Sequence, residues 1–288
     1  MPPWAGLLFA VVAWGLSFVV TKVAITEIQP AALIFIRALL GSLLLAVMLV
    51  VQKRRVVPPR DSWRPLAAMG FVGVAFHQML QAIALSQTSA VNAGWLVGLT
   101  PIWSALFAVL WLGERVSAGK VLGLLLGFAG AALVVTRGRL VGLMSVPSTR
   151  GDLLMLASTV NWAFYSSLGH SVIRRLGATQ ATLGALFFGM LMLWPVVLVS
   201  GAWRDYALLS AAGWGSVLFL GLICSGLAYL YWYAGLEKIE SSRVAAFLYV
   251  EPLVTLLAAA YWLGEPIGVV TLVGGALLLG GVALVQRS

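Results

Sequence analysis

His77, Gln78 and Gln81 fall inside one long apolar run, and their spacing puts Gln78 with Gln81, and His77 with Gln81, on a single helix face. Polar groups at that depth are expensive against lipid, so they belong on a cavity or an interhelical contact. A second run carries Asn161, Trp162, Tyr165, Ser166 and His170, with Trp162 and Tyr165 sharing a face. Trp14 and Ser17 occupy the comparable stretch of the first run, and Trp95 and Tyr249 lie in two others. Aromatic rings with polar edges beside a few orienting amides describe a largely apolar pocket for a small molecule. Glu251 is the one acidic residue expected near the middle of a run. A carboxylate there carries a proton, anchors an amine, or is a structural charge whose available partner is Arg37. Cys224-Ser225-Gly226 offers a nucleophile for intramembrane hydrolysis only superficially, because no base stands beside it in the sequence.

The elements that hold these residues must be membrane helices. Of 288 residues, 61% are hydrophobic and 9% charged, and the mean hydropathy is +1.02. A soluble domain of this size could not cover so much apolar surface with so few charges. The net charge of +9 does not point to nucleic acid, since the basic residues lie between apolar runs and form no patch. The single cysteine, Cys224, excludes an intramolecular disulfide and a cysteine metal cluster. No cofactor or metal is called for; the expected partners are the bilayer and a small solute, and the oligomeric state is not legible. Met1-Pro2-Pro3-Trp4 lacks the basic start of a signal peptide, so the first run is expected to be a retained span.

Ten apolar runs are expected as spans, at 4–25, 31–51, 63–86, 89–112, 117–136, 151–173, 179–200, 212–236, 240–263 and 267–286. Backbone groups in lipid must be satisfied internally, and runs of this length without strict alternation are helices and not barrel strands. The fold class is an all-α membrane protein. With the N-terminus in the cytoplasm, twelve Lys and Arg residues fall in cytoplasmic segments, five fall outside, and Arg37 lies within a span. That bias places both termini inside.

Trp111-Leu112-Gly113-Glu114 recurs as Trp262-Leu263-Gly264-Glu265, at an offset of 151 that holds from Trp63 to Val134 and from Trp214 to Val285. Pro101 and Pro252 are mates in this repeat, as are Gln78 and Tyr229, and Gln81 and Trp232. A match at fixed offset over this length is a structural repeat. Five spans per copy is odd, so the second copy enters the membrane from the opposite side. Inverted repeats expose a midplane site to each side in turn. The expected units are a first repeat, 1–136, an external connector, 137–150, and an inverted second repeat, 151–288. Pro101 and Pro252 are the expected hinges, since each removes a helix hydrogen bond at mid-span.

With Trp14, Arg37, the Pro101 and Pro252 helices, both Leu-Gly-Glu ends and Glu251-Pro252 in view, the chain resembles the EamA-type family of the drug/metabolite transporter superfamily over essentially its whole length. The resemblance implies a ten-helix exporter or permease of the bacterial inner membrane for amino acids or other small metabolites. The set His77, Gln78, Trp162 and Tyr165 is most similar to that of bacterial exporters of aromatic amino acids. Small four-helix multidrug relatives carry a glutamate within their first span; here Glu27 stands at its outer end, which departs from a cation-for-proton mechanism. The expectation is export of aromatic and other neutral amino acids by alternating access, and no enzyme activity. Nucleosides or amphipathic drugs are the alternative cargo, and an intramembrane hydrolase is a distant alternative. The expected substrate contacts are His77, Gln78, Gln81, Trp95, Trp162, Tyr165, Tyr229 and Tyr249. Glu251 and Arg37 are expected to be coupling or structural charges.

Overall fold

Prolines open the first two helices: Pro3 starts α1 (Pro3–Ala24) and Pro30 starts α2 (Pro30–Val51). There a missing N–H costs nothing and a fixed φ is already helical. The computed structural model describes residues 2–112, 117–138, 148–239, 244 and 247–287. After α2 come α3 (Arg60–Leu85), α4 (Ala90–Val97 and Thr100–Leu112), α5 (Ala118–Thr136), α6 (Thr149–Leu176), α7 (Ala178–Ser200), α8 (Ala211–Leu236), α9 (Phe247–Leu263) and α10 (Val269–Arg287). Ser89, Ser117 and Ser210 cap α4, α5 and α8 by accepting the backbone N–H of Asn92, Lys120 and Gly213, each at 3.0 Å. All regular structure among the described residues is helical. Glu114 of the first Trp-Leu-Gly-Glu, positions 139–147 of the expected connector and the side chain of His170 lie outside the described residues.

Seven of these helices, α1 to α5, α7 and α8, are long and apolar enough to cross a membrane, and α9 and α10 are shorter apolar helices. The chain is a multi-pass membrane protein. Its outward surface is apolar, with Leu125, Val199 and Leu257 more than half exposed, as a lipid-facing exterior requires.

Two irregularities recur at the repeat offset. In α3, residues Gly70–Phe76 wind as a π-helix; in α8, residues Phe219–Ala228 do the same, and adding 151 to 70–76 lands inside the second stretch. The other lies just before a proline. α4 is interrupted between Val97 and Thr100, just before Pro101, and α9 begins as a 3₁₀ turn at Phe247–Tyr249, just before Pro252. The helix bond that each proline removes accounts for both departures from regular α-helix.

α5 and α10 cross antiparallel through four glycines. A Cβ on Gly123 would stand 2.6 Å from the Gly281 carbonyl oxygen, and one on Gly130 would stand 2.5 Å from the Gly274 carbonyl oxygen. The repeat exchanges these contacts, since the mate of Gly123 is Gly274 and the mate of Gly130 is Gly281. Small residues let two backbones approach this closely inside a membrane.

Candidate functional site

The interruption of α4 and the 3₁₀ start of α9 border one central cavity, and His77 and Tyr229, the first residues after the two π-helical stretches, line it. α1 contributes Trp14, Ser17, Phe18 and Thr21; α2 contributes Arg37; α3 contributes His77, Gln78, Gln81, Ala82 and Leu85. Val97 and Thr100 come from α4, Ser158, Thr159 and Trp162 from α6, Tyr229 from α8, and Leu248 and Glu251 from α9. Space open to water-sized molecules amounts to about 60 Å³, several times the roughly 10–15 Å³ that one water needs. Three lining pairs are repeat mates: Gln78 with Tyr229, Val97 with Leu248, and Thr100 with Glu251. The two halves therefore line the cavity from equivalent positions.

Glycine 15 brings α1 against α9, because a Cβ there would stand 2.9 Å from the Glu251 carbonyl oxygen. Thr255 locks the same crossing by donating to the Gly15 carbonyl at 2.9 Å. Trp14 is thereby held at the cavity, and its Nε1 donates to the Cys224 carbonyl in the π-helical stretch of α8 at 3.3 Å. On the other side, Asn161 Nδ2 donates to the Val72 carbonyl in the π-helical stretch of α3 at 2.8 Å. Side chains of α1 and α6 thus bond backbone carbonyls where helix geometry is irregular.

The aromatic wall is continuous. Trp162 meets Trp14 edge to face at 5.8 Å, Tyr229 at 5.8 Å and the His77 ring at 5.0 Å between centroids. Such geometry matches ring quadrupoles and presents polar edges beside apolar faces. Gln78 is buried, and neither amide atom makes a hydrogen bond of ordinary geometry, although the Tyr229 hydroxyl is beside it. His77 Nδ1 is likewise buried without a partner. Buried polar groups are normally satisfied, so these mark a surface built to meet a solute or water.

Arg37 and Glu251 also line the cavity, at 9% and 5% exposure. Arg37 Nε donates to Ser225 Oγ at 3.0 Å. Among the described residues Arg37 and Glu251, one of the pairings open from the sequence, form no ion pair; neither side chain enters a salt bridge, and the Glu251 carboxylate accepts no hydrogen bond. Ser225 is occupied by Arg37, and the Cys224 thiol donates to the Ala13 carbonyl at 3.4 Å. Neither nucleophile candidate meets a base, as a hydrolase would require.

Of the eight expected substrate contacts, His77, Gln78, Gln81, Trp162 and Tyr229 line the cavity. Trp95, Tyr165 and Tyr249 do not. Trp95 lies flat on Gly275 of α10, where a Cβ would come within 2.4 Å of its ring. Tyr249 packs in the core cluster around Trp95 and Ala259. Tyr165 sits behind Trp162 against Gly73 and hydrogen-bonds the Tyr233 hydroxyl at 2.8 Å. Thr100 escapes the sequence reading although its repeat mate is Glu251, and that pairing is the signal that finds it.

Past the Tyr165–Tyr233 pair lies a second cavity of about 310 Å³, lined by Ser166, Ile173, Arg174, Gly177, Leu236 and Glu237. At that end Asp61 and Arg175 form an ion pair, and Glu237 accepts the Ala178 N–H at 2.7 Å. At the opposite end Lys22 pairs with Glu265 at 3.2 Å, and Glu265 accepts the N–H groups of Ala90 and Val91, each at 2.9 Å, at the start of α4. Asp152 of α6, fully buried, accepts from Thr88 Oγ1 and from Asn92 Nδ2. Polar ties thus link neighbouring helices towards both ends of the bundle.

The profile of the EamA-like transporter family matches residues 4–136 and 149–287. An uncharacterized transporter of Archaeoglobus fulgidus is 31% identical over 96% of this chain and 95% of its own length. The uncharacterized transporter YvbV of Bacillus subtilis is 30% identical over 97% of this chain and 90% of its own. A protein of Streptantibioticus cattleyicolor named "Probable terminal-alkyne amino-acid exporter" is 28% identical over 99% of this chain and 93% of its own. A solved crystal structure superposes with a TM-score of 0.69 over 97% of this chain and 94% of that one; at 19% identity it shows the fold alone.

Proposed function

Because the chain belongs to the EamA-like transporter family, we propose that its central cavity carries aromatic and other neutral amino acids out of the cytoplasm by alternating access. The observation that carries this reading is the cavity lining of repeat mates, Gln78/Tyr229, Val97/Leu248 and Thr100/Glu251, combined with unpartnered amide and imidazole atoms beside rings in tilted and edge-to-face contact. A wall built twice from equivalent positions can open towards either end at equal structural cost. The name of the Streptantibioticus cattleyicolor relative, an amino-acid exporter, supports the cargo class.

In this reading residues 1–136 and 151–288 are two inverted five-helix halves joined by an external connector, and both termini are cytoplasmic. The antiparallel, repeat-exchanged crossing of α5 and α10 supports that arrangement. Pro101 and Pro252 are the hinges, since Pro101 follows the interruption of α4 and Pro252 follows the 3₁₀ turn that opens α9. The Tyr165–Tyr233 pair is the inner closing layer between the central cavity and the Arg174 cavity. The Lys22–Glu265 and Asp152 ties are the outer one. The protein resides in the inner membrane of a bacterium.

The test is counterflow of labelled amino acids in liposomes containing the purified protein. A carrier concentrates label transiently when unlabelled substrate is preloaded, and the flux saturates. Non-saturating flux without counterflow would mean a channel. Counterflow driven by nucleosides but by no amino acid would replace the cargo class.

A further inference from the structure

Two opposite charges line the central cavity, and each is buried without the other as its partner. Arg37 reaches it from α2, held through Nε by Ser225, with its remaining N–H donors free of protein acceptors among the described residues. Glu251 reaches it from the first α-helical turn of α9, with no hydrogen-bond donor on its carboxylate among the described residues. Trp14 links the two sites: it bonds the carbonyl of Cys224, next to the Ser225 that holds Arg37, and it precedes Gly15, which packs on the Glu251 carbonyl. Gln78, 4% exposed, adds an amide with both atoms unpartnered in the same wall as Tyr229. A lone buried charge is costly unless a counter-charge meets it. Here a guanidinium and a carboxyl line one cavity, neither in an ion pair among the described residues, together with the rings of Trp14, Trp162 and Tyr229.

Resting on the amino-acid reading above, we infer that the cavity is a zwitterion clamp: Arg37 takes the substrate's carboxylate and Glu251 its ammonium, while the Trp14–Trp162–Tyr229 wall takes the side chain. The Arg37 fork matches a carboxylate, and charge-assisted bonds are the strong ones. The two charges cancel two charges, so a net-neutral solute fills the cavity and leaves none buried alone. A solute lacking either end leaves one protein charge unpaired in the membrane interior and is rejected. Selection therefore acts on the backbone ends of an amino acid, and the aromatic wall tunes preference among side chains.

The test uses the full-length protein in liposomes and counterflow of labelled L-phenylalanine. Competitors are unlabelled L-phenylalanine, phenethylamine, which lacks the carboxylate, and hydrocinnamate, which lacks the amine. The clamp predicts that each truncated competitor is weaker than L-phenylalanine by roughly a hundredfold, the loss of one charge-assisted bond with its partner left buried. Arg37→Gln should erase the discrimination against phenethylamine and keep that against hydrocinnamate; Glu251→Gln should do the reverse. Ligand-induced thermal shift on the same proteins reads binding where a variant no longer transports, and Arg37→Lys and Glu251→Asp should retain part of each discrimination. Equal competition by all three compounds in the unaltered protein would overturn the clamp alone. Variants that weaken all three compounds in parallel would do the same. Counterflow of no amino acid at all would overturn the amino-acid reading and the clamp with it.

Discussion

Trp14 of α1 and Trp162 of α6 meet edge to face, 5.8 Å apart at 78°, at the wall of the central cavity. They sit in comparable stretches of the first helix of each half, and each is tied into the other half. Trp14 bonds the Cys224 carbonyl of α8, and the neighbour of Trp162, Asn161, bonds the Val72 carbonyl of α3. A rearrangement that moves one half against the other must carry these rings with it, so the aromatic wall is a seam between halves.

Trp162→Ala should weaken aromatic substrates more than small ones, because it removes a ring that stacks beyond simple area burial. The expected loss is about tenfold in apparent affinity for phenylalanine or tryptophan, with a smaller change for valine. Competition counterflow on a normally inserted variant measures it. An equal loss for all substrates would remove Trp162 from the substrate contact.

The Tyr165–Tyr233 hydroxyl pair should behave as a coupled unit. Either single change to Phe leaves one buried hydroxyl unpartnered, at about 1 kcal/mol. The double variant removes both hydroxyls and should be more stable than the sum of the singles predicts. Thermal unfolding in detergent of the four proteins gives the cycle. Simple additivity would show that the hydroxyls do not depend on each other.

Close packing of α5 on α10 should tolerate no side chain at the crossing. Gly130→Ala or Gly281→Ala drives a Cβ to 2.5 Å from a facing backbone atom, a strain of about 1–3 kcal/mol. Gly280→Ala has nothing within 4 Å and is the control. Melting temperatures should fall for the first two and hold for the third; three equal values would contradict the crossing.

Glu27, in the turn between α1 and α2, accepts the Ser210 backbone N–H and its hydroxyl at 2.8 Å each. Those bonds, the backbone one foremost, hold its carboxyl below the ordinary value of 4.5. A carboxyl lowered in the folded state stabilises it above the unfolded value and loses that contribution as pH falls through the folded one. Melting temperature should therefore drop more steeply below about pH 4.5 in the unaltered protein than in Glu27→Gln. Parallel curves would show that the Ser210 contact adds nothing to stability.

Much of this site is legible in the sequence because the repeat offset converts one residue into two. Gln78 points to Tyr229 and Glu251 points to Thr100, and all four reach the cavity. What the sequence does not carry is helix rotation. Trp95, Tyr165 and Trp162 are all mid-helix aromatics in apolar surroundings, and no polar face says which one turns inward. The π-helical stretches of α3 and α8 further shift the phase of His77 and Tyr229, so spacing rules for a regular helix fail across them. Ser158 and Thr159 resemble ordinary packing residues, and Asp152 stands at a helix end where charges are common. Arg37 and Glu251 have suitable depth for a pair, but Arg37 is turned to Ser225, and only three-dimensional packing reveals that.

The central claim is that one cavity opens to each side of the membrane in turn. Ser17 lines that cavity, and the native Cys224 is fully buried. A Ser17→Cys variant, reacted with a membrane-impermeant maleimide in right-side-out and in inside-out vesicles, reads the claim directly. The account predicts labelling from both sides, slowed from both by L-phenylalanine, in vesicles that show counterflow. Labelling from one side only, unchanged by phenylalanine, would contradict it.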